Sequence, residues 1–503
     1  MKSLQQVTDG LQVLARSGPA DAPVADVCAD SRLATPGALF VAIRGYSADG
    51  HSFIADALAR GAVAVVYEDQ SAAGLIPATV AGLRVPNCRR AAAQIATAFW
   101  DHPSRRLCIA GVTGTNGKTT VSHLLEAVMR PHAAPTAIIG TLGHLIAGQH
   151  FEAARTTPDA LELQRLFAAM VGQGVRFVSM EVSSHALALD RAYGTQFDLA
   201  VFTNLTRDHM DFHAGEDEYL STKLQLFTEY ADLAAPEKAL AGVINADDPH
   251  AEALLRAARC RTITYGVDSA QADVRAEAVR FDAAGAAMKV RHPEGLTPVR
   301  LQLAGRFNVM NALAAIAGGL ALGVAVPAAV EAIEQVPAIP GRFQRIQAGQ
   351  DFTVIVDYAH TPDALQNVLQ AARELGPRRL ICVFGCGGDR DRGKRPLMGK
   401  VASELADLPI ATSDNPRSED PERIIEDILA GVGDRPVVRE PDRAAAIARA
   451  VALAEAGDLV LIAGKGHETY QIFADHTAPF DDREVARAAL RERLGQTSEP
   501  SEA

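Results

Sequence analysis

Short apolar runs rich in β-branched residues alternate with Ala-rich segments along nearly the whole chain. The runs at 62–67, 107–112, 176–180, 199–203, 242–245, 353–357, 380–384 and 459–463 are apolar throughout rather than alternating. Such runs are expected of strands covered on both faces. With helices predicted between them, the pattern is α/β, with doubly wound, mostly parallel sheets. Two breaks interrupt it: His102-Pro-Ser-Arg-Arg106 and Pro337-Ala-Ile-Pro-Gly341, each just before a new strand. They predict three domains, at 1–104, 105–340 and 341–503, the last ending in a polar tail.

Composition narrows the class. The 503 residues leave room for three domains at about 150 residues each. A net charge of −12, with no basic run to offset it, argues against a nucleic-acid partner. Of the six cysteines only Cys382 and Cys386 lie close in sequence, without zinc-type spacing, so all are expected to be reduced thiols of a cytoplasmic protein. The first residues contain no apolar signal segment. Residues 307–330 carry no charge, which raises the question of a membrane span. Their Ala and Gly content, two early asparagines and Pro327 favour two buried helices meeting at 323–327, and no membrane insertion.

The candidate chemistry begins at Gly111-Val-Thr-Gly-Thr-Asn-Gly-Lys-Thr-Thr120, between a predicted strand and a predicted helix. That context makes a Gly-rich turn a phosphate loop, whose backbone N–H groups and helix dipole hold anionic oxygens. Gly114, Thr115, Asn116, Gly117, Lys118, Thr119 and Thr120 are the expected ATP contacts. Lys118 would reach the β- and γ-phosphates and Thr119 would face Mg²⁺. The usual first glycine is replaced by Val112, with Gly111 one position earlier. Glu181 ends one strand and His209 follows another by a short loop. Both therefore fall at strand carboxyl ends, near the phosphate loop. A carboxylate and an imidazole suit a divalent cation that also accepts phosphate oxygens.

The loop Thr-Gly-Thr-Asn-Gly-Lys-Thr-Thr resembles that of the Mur ligase family, to which folylpolyglutamate synthetases are related. Glu181-Val-Ser-Ser-His185, Thr203-Asn-Leu-Thr-Arg-Asp-His209, Gly305-Arg-Phe-Asn308 and Asp357-Tyr-Ala-His360 follow in the family's order. The resemblance spans nearly the whole chain and is nearest to the branch that adds the third residue of the peptidoglycan stem peptide. It implies a UDP-binding N-terminal domain, a central ATP-binding P-loop domain and a Rossmann-like C-terminal domain that binds the amino acid. The implied reaction is phosphoryl transfer to a carboxylate, then attack of an amine on the acyl-phosphate.

The resemblance also implies site residues. Lys118, Glu181, His209 and Lys223 would be catalytic. Thr119, Glu181, His209 and Lys223 would be the metal set, with Lys223 carbamylated by CO2. From chemistry alone Lys223 reads as a surface lysine. Asn308, Arg342, Asp357 and His360 would complete the ATP site, although Asn308 and Asn311 also read as helix caps. Ser31, Tyr46, Ser47 and Ala48 would hold UDP. Thr156, Thr157, Ser183 and Arg191 would hold the muramoyl-dipeptide, with Leu189 standing where the family often has Gln. Arg390, Asp414, Asn415, Pro416, Arg417, Gly464 and Glu468 would bind the amino acid. Most arginines of 389–395 otherwise read as a solvated loop. Asp414-Asn-Pro-Arg417 resembles the signature of ligases using meso-2,6-diaminopimelate. The alternatives are an L-lysine-adding relative, a folylpolyglutamate-synthetase-like ligase, and a P-loop kinase or nucleotide-gated binding module. A monomer is expected.

Overall fold

The protein, described here from a computed structural model covering residues 1–45, 48–210, 212–282 and 285–495, is built on three main sheets. All eight apolar runs are strands, with bounds shifted by at most two residues. The first sheet pairs Asp26–Cys28, Ala38–Val41, Ala64–Tyr67 and Ala81–Arg84 in parallel, with Ala15–Ser17 antiparallel at one edge.

The central sheet has eleven strands. Its parallel middle sets Phe177–Glu181 and Leu199–Phe202 on either side of Cys108–Thr113. Side-chain alternation explains why these strands are apolar throughout. Leu199 and Val201 enter one core with Val112, Val121 and Leu124, whereas Ala200 and Phe202 enter the opposite core with Phe167 and Tyr219. A strand covered on both sides has no polar face to show. The sheet closes at each end with antiparallel strands: Gly143–Ile146 and Gln149–Phe151 at one, Val274–Asp282, Gly285–His292 and Gly295–Leu301 at the other.

The charge-free stretch forms helices Arg306–Ala321 and Val326–Glu334, separated by a turn in which Gly323 has φ +87°. Among the described residues no helix is long and apolar enough to cross a membrane. The third sheet orders Gln344–Ile346, Thr353–Asp357, Leu459–Ala463, Leu380–Cys386, Leu408–Ser413 and Val438–Arg439, all parallel except the first. Leu380, Cys382 and Phe384 face one core there, and Ile381 and Val383 the other. All six cysteines are free thiols.

Candidate active site

Strand Cys108–Thr113 turns at 114–117 into helix Lys118–Ala133. In parallel register Glu181 sits opposite Val112 and Phe202 opposite Thr113, so three strand ends open onto one edge. Segment 203–206 braces the loop. Thr203 Oγ1 donates to the Asn116 carbonyl at 2.6 Å, Asn116 N–H donates to Asn204 Oδ1 at 2.9 Å, and Thr115 N–H to the Asn204 carbonyl at 2.8 Å. Gly114 has φ +143°, and a methyl group there would lie 1.9 Å from Thr203 Oγ1. Only glycine fits so close a backbone approach.

Two lysines meet at this loop. Lys118 Nζ donates to the carbonyls of Gly114 at 2.9 Å and Thr115 at 2.8 Å. Lys223, on helix Glu216–Leu224, is 1% exposed; its Nζ donates to the same Gly114 carbonyl at 3.0 Å and lies 4.2 Å from the centre of the Tyr219 ring. Burial lowers both amines, and the charge of Lys118 lowers Lys223 further, well below the usual lysine range.

Glu181 is also buried, and its two oxygens accept from Thr141 N–H at 2.8 Å and Thr141 Oγ1 at 3.0 Å. Thr141 Oγ1 shares a hydrogen bond of 3.1 Å with Thr156, and Thr157 Oγ1 donates to the Glu181 carbonyl at 2.8 Å. Ser183 N–H donates to Thr157 at 3.2 Å. Thr157 and Ser183 thus interlock at the Glu181 backbone, and Thr156 reaches its carboxylate through Thr141. His209 has φ +57°, stands edge-on to His185 and lies 3.4 Å from the Asp208 carboxylate.

Thr119, Glu181, His209 and Arg191 all line one cavity of about 710 Å³. Among the described residues no three His, Cys, Asp or Glu side chains form a metal cage. Magnesium commonly takes one or two carboxylates and completes its shell with phosphate oxygens and water. The hydroxyl, carboxylate and imidazole fit a cation that arrives with a nucleotide.

The C-terminal sheet closes the cavity. Arg342 Nη2 donates to Thr119 Oγ1 at 3.0 Å, and its guanidinium lies 4.6 Å from the centre of the Tyr358 ring. Asp357 accepts from the N–H groups of Phe343 at 2.7 Å and Ala359 at 2.8 Å. Burial raises its pKa despite the opposing charge of Arg342. Burial also lowers His360, whose ring bonds the Tyr358 carbonyl at 2.9 Å. Asn308 is off the lining: it donates to the Ala304 carbonyl at 2.8 Å and accepts from Asn311, which does line the cavity.

Behind Tyr358 lies the second cluster. The Tyr358 hydroxyl donates to Glu468 at 3.4 Å, and Asn415 Nδ2 donates to the same carboxylate at 2.9 Å. Fully buried Lys465 donates to Asn415 Oδ1 at 2.9 Å and Glu468 at 3.1 Å. Burial opposes ionisation of Asp414, but Arg443 and Lys465 hold it below the usual carboxylate range. Gly464 lies against Asp414 and is left-handed, with φ +125°. Pro416 precedes Arg417, whose φ is +52° and whose Nη1 donates to the Gly388 carbonyl at 2.8 Å. Arg390 is exposed and donates to the carbonyl of Asp389.

Ser31 and Ala48, expected from the sequence to meet UDP, are not among the residues lining the large cavity. Ser31 is buried at the start of a 3-10 turn capped by Asp30, and the Ala48 carbonyl accepts from Gly45 N–H at 2.9 Å. Tyr46 and Ser47 lie outside the described residues. Helix Cys88–Phe99, packed beside the N-terminal sheet, meets the central part of the chain through Arg90, which donates to Asp190 at 3.0 Å, next to the cavity-lining Arg191. A further cavity of about 400 Å³ lies against Thr353 and Leu459, at the strand starts of the C-terminal sheet. Ligands of such sheets gather at the other end.

Sequence reasoning gave no role to Lys465, Arg395, Arg443 or Asp363. Lys465 had a signal, because it stands inside Gly464-Lys-Gly-His-Glu468. Arg443 had none, lying in an ordinary Ala-rich helix, yet it is fully buried on Asp482 at 2.7 Å and bonds the carbonyls of Ser413 and Ala463.

Comparison with known proteins agrees with this arrangement. Family models match at residues 23–100 (Mur ligase family, catalytic domain), 112–319 (Mur ligase middle domain) and 341–466 (Mur ligase, glutamate ligase domain). A UDP-N-acetylmuramoyl-L-alanyl-D-glutamate–2,6-diaminopimelate ligase from Geobacillus thermodenitrificans is 47% identical over 92% of this chain and 94% of its own. One from Thermosynechococcus vestitus is 48% identical over 92% of each chain. A solved structure of a ligase with the same name superposes with a TM-score of 0.70 at 34% identity, covering 98% of this chain and 99% of its own. With the phosphate loop, the strand-end acid and the third sheet closing over both, the chain belongs to the Mur ligase family.

Proposed function

We propose that the protein is an ATP-dependent ligase that joins meso-2,6-diaminopimelate to UDP-N-acetylmuramoyl-L-Ala-D-Glu in peptidoglycan precursor synthesis. The observation that carries this reading is one cavity lined by the phosphate loop, Glu181 and the Thr156–Thr157–Ser183 set, with the Asp414–Arg417 loop one tyrosine away. The relatives bearing that name support it over the whole chain.

In this reading the N-terminal segment 1–104 binds UDP, with Ser31, Tyr46, Ser47 and Ala48 at the uridine end. Residues 105–340 bind ATP, and 341–503 bind the amino acid. Each sheet lies within one of these intervals, which supports the division. Thr156, Thr157, Ser183 and Arg191 hold the dipeptide, Arg191 by a bidentate pair with a carboxylate. Gly114 to Thr120 cradle the phosphates. Arg342, Asp357 and His360 meet the nucleoside, and Asn308 acts through Asn311.

The terminal glutamyl carboxylate attacks the γ-phosphorus in line, and the bond to ADP breaks. The amine of diaminopimelate then attacks the acyl carbon, phosphate leaves, and the nitrogen loses a proton. Lys118 stabilises the charge that develops on the transferred phosphoryl oxygens. Thr119, Glu181 and His209 would hold Mg²⁺, which neutralises phosphate charge when bound. Lys223 is the fourth member of that set, as a carbamate. An amine that burial keeps neutral is a nucleophile toward CO2, and the product is an anionic oxygen donor. Closure by the third domain excludes water from the acyl-phosphate.

Glu468 and Asp414 accept ammonium groups, and Arg417 and Arg390 receive carboxylates. A substrate with a zwitterion at each end suits this mixture better than lysine, which lacks the second carboxylate. The protein acts as a cytoplasmic monomer, in keeping with free thiols and nucleotide-linked substrates.

The test is ADP release with ATP, Mg²⁺ and UDP-N-acetylmuramoyl-L-Ala-D-Glu, adding meso-diaminopimelate or L-lysine. Release driven by diaminopimelate alone is expected. Release driven equally by lysine would overturn the specificity, and release with neither, from folded ATP-binding protein, would overturn the ligase reading.

A further inference from the structure

Within the charged run 389–395, Arg395 is fully buried while Asp389, Arg390 and Arg392 are exposed. Its Nη1 donates to Glu419 Oε2 at 3.0 Å and to Asp427 at 2.8 Å. Its Nη2 donates to Glu419 Oε1 at 2.8 Å and to the Gly387 carbonyl at 3.3 Å. The same Glu419 carboxylate accepts from Asp389 N–H at 2.6 Å and from Arg392 at 2.9 Å. Asp389 in turn accepts from Ser418 N–H at 3.1 Å and Ser418 Oγ at 2.8 Å. One guanidinium thus ties the end of strand Leu380–Cys386, the loop after strand Leu408–Ser413 and helix Pro421–Leu429.

The two loops are pressed together at their tips. Gly388 N–H donates to the Asn415 carbonyl at 2.9 Å, and a methyl group at Gly388 would lie 1.9 Å from the Pro416 carbonyl oxygen. Asp389 and Arg417 both take positive φ, +50° and +52°. An L-residue holds that conformation only where its surroundings impose it. The Arg417 guanidinium is aimed by the Gly388 carbonyl, so its position depends on the 387–389 turn that Arg395 and Glu419 hold.

We infer that Arg395, paired with Glu419, is a positioning residue that fixes the 387–392 and 414–419 loops as one rigid receptor for the amino-acid substrate. The inference rests on the reading of Asp414–Arg417 given above. A buried arginine kept only for stability could be replaced by packed apolar groups. A planar fork that bonds three segments at once is a geometric device, and lysine lacks the fork.

The experiment uses full-length Arg395→Lys and Glu419→Gln, with KM for diaminopimelate, KM for ATP, kcat and melting temperature measured for each. The expected result is a rise of about tenfold in KM for diaminopimelate, with ATP KM within about twofold and kcat within about threefold. Discrimination against lysine falls in parallel. An unmoved amino-acid KM with a lowered melting temperature would overturn the inference, as would an equal rise in both KM values. Should Arg395→Lys not fold, Glu419→Gln carries the same comparison with the arginine retained. A parent enzyme that releases no ADP with diaminopimelate would sink the proposed function itself. A working parent with unmoved variants sinks only the role of Arg395.

Discussion

Before it takes up CO2, Lys223 is an amine held where water cannot reach it, between the Gly114 carbonyl and the Tyr219 ring. Its folded pKa lies well below the ordinary 10.5, because burial and then the charge of Lys118 disfavour protonation. Between the lowered value and 10.5 the unfolded chain binds more protons than the folded one, so stability rises with pH across that window. Lys223→Met is expected to flatten this rise. It should stabilise the nucleotide-free protein by about 1–2 kcal/mol at neutral pH while ligation falls at least about a hundredfold, a trade of stability for activity. Urea unfolding across a pH series, beside ADP release, reads both, and a variant with the parent's pH slope would refute the account. None of this was legible in the residues around Lys223. Helix Glu216–Leu224 opens with three acids and reads as a solvated surface, so only the family resemblance gave Lys223 a role. Burial here is a tertiary fact, set by the loop that folds over the helix.

The phosphate loop was legible as an element because its spacing and its strand–helix context are both local. Its brace was not. Thr203 and Asn204 stand far away in sequence and come together with Asn116 only through parallel pairing of Leu199–Phe202 with Cys108–Thr113. Gly114→Ala drives a methyl group into Thr203 Oγ1. Isothermal titration is expected to show ATP affinity reduced at least about a hundredfold, and the melting temperature should fall as well, because the buried loop must shift to admit the methyl group. Thr203→Val keeps the shape and removes the donor, and a loss of about tenfold is expected. Equal affinity in both variants would mean that the brace is not what shapes the loop. The strands divide along the same line. The eight continuous apolar runs were found because a strand covered on both faces has no competing pattern, although Ala38–Val41 and Thr136–Gly140, just as buried, were not among them. The antiparallel strands Val274–Asp282, Gly285–His292 and Gly295–Leu301 escaped because a half-exposed strand alternates with charged residues and has no such run.

At the scale of the molecule, three sheets must cooperate on one bond, and polar contacts at the phosphate loop help to join the second to the third. Asp363, in the first turn of helix Pro362–Glu374, accepts from Asn116 Nδ2 at 3.0 Å and Thr206 Oγ1 at 2.9 Å. One carboxylate oxygen on the third domain therefore touches the phosphate loop and its brace together. Arg342 makes the second crossing at Thr119. Beside these polar contacts, Ala304 and Phe307 pack into the third domain's core, with the Phe307 ring 5.4 Å from that of Phe343. The domain must open for product release, yet it must stay shut while an acyl-phosphate exists. Asp363→Ala removes one contact without touching the amino-acid cluster around Asn415 and Glu468. Its expected signature is uncoupling. ADP release in the absence of diaminopimelate should rise several-fold as water reaches the acyl-phosphate, and the ratio of ligated product to ADP should fall below one. Small-angle scattering with ATP and the UDP-dipeptide present should show a larger radius of gyration than the parent. A variant that slows overall but keeps one product per ADP would assign Asp363 to nucleotide binding instead, because weaker binding lowers both outputs together and only premature opening separates them.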